Sequence, residues 1–152
     1  MSYAAIQTAA IALVKTVDPF DDNPTWVTAG DDTILTAGVT AAAIFTPGGI
    51  GPEEDLQQWS YRAYEMIVNV LVRIGETEAD TFASFVTLRD ALILAIEKTP
   101  HLGLANALES NLESEGEPVW VYERTPDSGP VFLMQTLRWS VSYLTALSGG
   151  EF

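Results

Sequence analysis

The chain has 152 residues with no cysteine and one histidine, and 21 acids against 7 bases give it a formal net charge of −14. Zero cysteines exclude disulfides, thiol nucleophiles and cysteine-ligated zinc or iron, and the negative charge repels phosphate backbones and anionic lipid heads, which disfavours specific DNA binding and leaves two readings, a surface that serves solubility alone or one that faces DNA only as passing cargo. A chain of this length buries roughly two-thirds of its unfolded surface and needs no metal to fold; no apolar run approaches the roughly 20 residues that span a bilayer, and Met1–Ile6 lacks the basic n-region of a secretory signal.

Tyr3, Ile6, Ala10, Leu13, Val14 and Val17 recur at spacings of three and four, which predicts a first helix, with Ser2 as N-cap and Asp18-Pro19 as its stop. Pro19–Pro24 reads as an acidic turn. Thr25–Thr28 is a short β-prone run, Gly30-Asp31-Asp32 punctuates it, and Thr33–Phe45 has the composition of one or two short strands. Pro47–Asp55, with Gly48, Gly49 and Gly51, reads as a loop. Trp59–Ile74 is a long strand: Tyr64, Met66, Val68, Val70, Val72 and Ile74 occupy one wholly apolar parity, and Tyr61, Ala63, Glu65, Ile67, Asn69, Leu71 and Arg73 a mixed one. A helix is the competing reading, and the density of Val and Ile with Gly75 at the end favours the strand.

Thr77–Thr99 is the main helix. Thr77 and Asp80 approximate a capping box, Phe82, Phe85, Val86, Leu92, Ile93 and Ile96 make its stripe, and Pro100 ends it. His101–Leu112 reads as a short further helix, with Leu102, Leu104, Ala105 and Leu108 apolar, and Glu109–Glu117 as an acidic exposed segment. Pro118–Arg124 and Pro130–Tyr143 are strands joined by a Thr125–Gly129 turn. In the second of them Val131, Leu133, Leu137, Trp139, Val141 and Tyr143 share a parity interrupted only by Gln135. The elements compose one α+β domain over residues 1–147, a mostly antiparallel sheet with two main helices packed on one face, followed by a flexible tail at 148–152.

The uncovered face then decides the function. Ile67, Leu71, Trp120, Tyr122, Phe132 and Met134 are expected to point towards it, more apolar area than a monomer leaves wet. Two covers are open: a neighbouring subunit, or segment 30–56 folded back. Arg62, Arg73, Arg124 and Arg138 all lie on predicted strands, where they serve either salt bridges to a neighbour's acids or cross-strand pairs within the chain, for example with Glu65 or Glu123. The chemistry-bearing patterns are weak. His101 has no evident partner for nucleophilic catalysis, Asp18–Asn23 misses the EF-hand spacing, and the acids after Gly48-Gly49-Ile50-Gly51 repel phosphate. No catalytic, cofactor or metal site is expected.

Four segments carry a resemblance: Tyr61–Ile74; Leu88-Arg89-Asp90-Ala91-Leu92 with Thr99-Pro100-His101-Leu102-Gly103; Glu117-Pro118-Val119-Trp120-Val121; and Phe132-Leu133-Met134-Gln135-Thr136-Leu137. They resemble the long strand, the main helix with its exit, and the closing hairpin of the tail-terminator and tail-completion proteins of long-tailed bacteriophages, over residues 59–144; residues 19–57 have no counterpart. The resemblance implies a non-enzymatic virion protein, assembled in the host cytoplasm as a hexameric ring. Such a ring caps the tail tube and meets a neck or head-closure protein. The alternatives are a head-closure or connector protein of the same neck and a small acidic protein-binding adaptor. If the apolar residues named above form the subunit interface, Trp120→Glu or Phe132→Glu is expected to leave a folded monomer, whereas unfolding would assign them to the core; size-exclusion chromatography with circular dichroism reads the difference.

Overall fold

The computed structural model describes residues 3–30, 38–50, 54–56, 59–99, 102, 104, 107–114, 116–122 and 130–146. Its centre is a pair of long antiparallel strands, β4 (Trp59–Arg73) and β7 (Pro130–Ala146), matched residue for residue from Trp59↔Ala146 to Arg73↔Phe132. Around them lie β1 (Val27–Ala29), β2 (Ala41–Ile50), β3 (Glu54–Leu56), β5 (Ala107–Ser114) and β6 (Val119–Tyr122). Together they form one seven-stranded sheet with the path β1-β2-β4-β7-β5, in which β3 also pairs with β4 and β6 with β7. Only β1–β2 is parallel. β2 and β3 run antiparallel to β4 one after the other, and β5 and β6 do the same along β7, so each pair is one strand interrupted once.

Both helices pack on one face, as the periodicity predicts. Helix α1 (Tyr3–Val14) buries Ile6, Ala10 and Val14, and Val17 and Phe20 continue the seal in the following turn. Helix α2 (Glu78–Lys98) starts where the capping pattern places it, with Thr77 Oγ1 accepting the Asp80 N–H at 3.1 Å. Beneath them the sheet contributes Ala41, Ala43 and Phe45 from β2, Met66, Val68, Val70 and Val72 from β4, and Leu133, Leu137, Trp139, Val141 and Tyr143 from β7. On β4 this is the wholly apolar parity read from the sequence, and on β7 the parity interrupted by Gln135. Gln135 is buried but satisfied: its Nε2 donates to the Gly116 carbonyl at 2.7 Å and its Oε1 accepts from Arg89 at 3.3 Å. Trp139 Nε1 likewise donates to Ser110 Oγ at 2.6 Å.

Two expectations are corrected. The helix predicted over His101–Leu112 is replaced by β5: Leu102 turns the chain left-handed with φ 50° and is buried, and residues 107–114 then pair along β7. The hydrogen bonds offered by the open edge of β7 outweigh the weak strand propensity of Ala-Leu-Glu-Ser-Asn-Leu-Glu-Ser. The Pro47–Ile50 loop is instead the end of β2, bulged between Pro47 and Ile50. At that bulge Gly48 is indispensable, since a Cβ there would sit 2.6 Å from the Glu65 carbonyl oxygen. Of segment 30–56, the alternative cover of the second face, residues 41–50 are an integral strand and Val39 is buried; residues 31–37 and 51–53 lie outside the described residues, as do residues 125–129, expected as a turn, and 148–152, expected as a tail.

The Gly48 bulge also docks α1. Tyr3 OH donates to the Glu65 carbonyl at 2.7 Å and accepts the Gly48 N–H at 3.1 Å, while its ring tilts against Tyr64 at 6.2 Å. Tyr3→Phe is expected to cost about 2 kcal/mol, because two backbone groups lose their partner, and Gly48→Ala about 1–3 kcal/mol through forced displacement of β4. Urea unfolding with an unchanged m-value checks both, and a silent Tyr3→Phe would mean that α1 docks without this bond.

Candidate interaction surface

The far face of the sheet, away from the helices, is apolar at one end only. Val39, Ala42, Ile44, Leu71 and Phe132 form a second buried cluster, with Trp26, Val121, Val131 and Met134 packed around it. Arg73 roofs it: its guanidinium stands 4.6 Å from the Phe132 ring centroid, and its Nε donates to the Val39 carbonyl at 2.7 Å. Further along, the same face turns polar. Thr136 Oγ1 donates to Asn69 Oδ1 at 2.8 Å, and the hydroxyls of Tyr61 and Ser142 share a hydrogen bond at 2.8 Å.

This geometry separates the residues expected to form one interface. Ile67, Leu71, Phe132 and Met134 do share the far face, but Leu71 and Phe132 are already buried within the chain, at 3% and 5% exposure. Trp120 is corrected to the helix side. It stands opposite Leu133 in the β6–β7 register and meets Phe82 of α2 edge-on, with ring centroids 5.4 Å apart at 77°. The register sets Val119 opposite Met134 and Val121 opposite Phe132, so Val119 and Val121 take the far-face places. The side chain of Tyr122 and the whole of Arg124 lie outside the described residues. Of the remaining arginines, Arg62 lies across from Tyr143 on the helix side and Arg73 is committed to the far-face cluster. Arg138 stands between Ile67 and Glu113 in the register, an opposite-charge cross-strand place.

What the sequence placed in the core and the structure leaves outside is more informative. The buried line of α2 is Thr81, Phe85, Leu88, Leu92 and Ile96. Phe82 and Val86, one position round the helix, are 44% and 41% exposed, and Val119 on β6 is 50% exposed. Phe82 meets Trp120 of β6, which among the described residues pairs with β7 alone. Among those residues β6 thus has an open backbone edge with Trp120 and Phe82 on one side of the sheet and Val119, Val121 and Met134 on the other. The contiguous edge strand β5 is polar, with Asn111 and Glu113 exposed. An exposed edge with apolar flanks on both faces is suited to pairing with another chain.

Two other features are present. A cleft of about 640 Å³ runs between α2 and the turn after α1, lined by Asp18, Thr40, Val72, Ser84, Thr87 and Leu88 among others. In that turn the carboxylates of Asp18, Asp21 and Asp22 approach within 4.8 Å, all exposed, and Asp21 Oδ1 accepts the Asp22 N–H at 3.0 Å. The comparisons with known proteins found no matching family model and no matching curated protein.

Phe132→Ala is expected to cost about 3–5 kcal/mol, as for a buried aromatic, and Val119→Lys to stay within about 0.5 kcal/mol of the parent, as for an exposed site. Chemical denaturation measures both, and equal losses at the two sites would contradict the division between inner cluster and open edge.

Proposed function

We propose that this chain works by binding other protein chains, as a structural subunit that terminates a bacteriophage tail tube and joins it to the head or neck. The observation that carries protein binding is the outer edge of β6, a strand that among the described residues pairs with β7 alone, with exposed Phe82 against Trp120 and exposed Val119 beside it. Apolar groups on both sides of such an edge favour a partner that supplies both hydrogen bonds and side-chain burial. The assignment to phage tails rests on the resemblance of residues 59–144, and the order of long strand, main helix and closing hairpin is compatible with it. The surface charge suits a subunit past which DNA moves without being held.

The ring is tested by the mass of the purified chain in solution. Size-exclusion chromatography with light scattering is expected to show a closed oligomer, alone or once tail-tube protein is added, and co-purification with tail-tube protein distinguishes a terminator from a head-closure protein. A stable monomer that ignores tail-tube protein would exclude the terminator and favour the second reading, a small acidic adaptor, which the formal charge of −14 supports.

A further inference from the structure

We draw no further inference here: the strongest candidate, the cleft of about 640 Å³ between α2 and the turn after α1, is lined by both Asp18 and Arg73 among small and apolar residues, so its charge selects no class of ligand, and nothing in the structure shows what fills it.

Discussion

The register between β4 and β7 is the constraint on which the rest of the molecule depends. Fifteen consecutive residue pairs, from Trp59↔Ala146 to Arg73↔Phe132, fix which side chains of both strands share a face. A slip of one residue would move every one of them relative to its partner strand. With the observed register, Met66, Val68, Val70 and Val72 line up with Trp139, Leu137, Gln135 and Leu133, and this is the floor on which α1 and α2 lie. Strand β2 joins by matching Ala41, Ala43 and Phe45 to the same parity of β4. The small alanines leave room for the helices, and Phe45 fills the space beside Trp139, ring to ring at 6.0 Å.

The same register explains why the far face is divided. Opposite positions on β4 and β7 bring Leu71 to Met134 and Arg73 to Phe132 at one end, but Asn69 to Thr136 and Glu65 to Ser140 further along. The apolar end is small enough for the chain to close over it with Trp26, Val131 and the Arg73 guanidinium. Among the described residues, what the chain does not close is the strip around β6, where the α2 flank, the edge strand and the margin of the far face meet. The exposed apolar strip is therefore a rim along an edge, not a broad face.

The long, strongly periodic elements were legible in the amino-acid sequence. The stripe of α1, the cap of α2 and the parities of β4 and β7 are local patterns, and burial follows them closely. What was not legible depends on partners far away in the chain. Residues 107–114 carry no strand pattern of their own and become a strand because β7 has an open side. Pro47–Ile50 has turn composition, yet it is drawn along β4 by a bulge that only a residue without a side chain permits. Trp120 and Phe132 looked like neighbours on one face because parity within each strand is visible and the offset between strands is not. Phe82 and Val86 looked like core because the apolar arc of α2 is wider than the surface available to cover it.

The hydrogen bonds of Gln135 have a mechanical consequence. Its amide grips the Gly116 carbonyl at the break between β5 and β6 and simultaneously takes a bond from Arg89 on α2. One side chain thus links the start of the β6 segment to the helix above. A pull on β6 reaches α2 through this link as well as through the ring contact of Trp120 with Phe82. The underside of α2 belongs to the same core as that of α1, and at the opposite border of the sheet Tyr3 anchors the first helix.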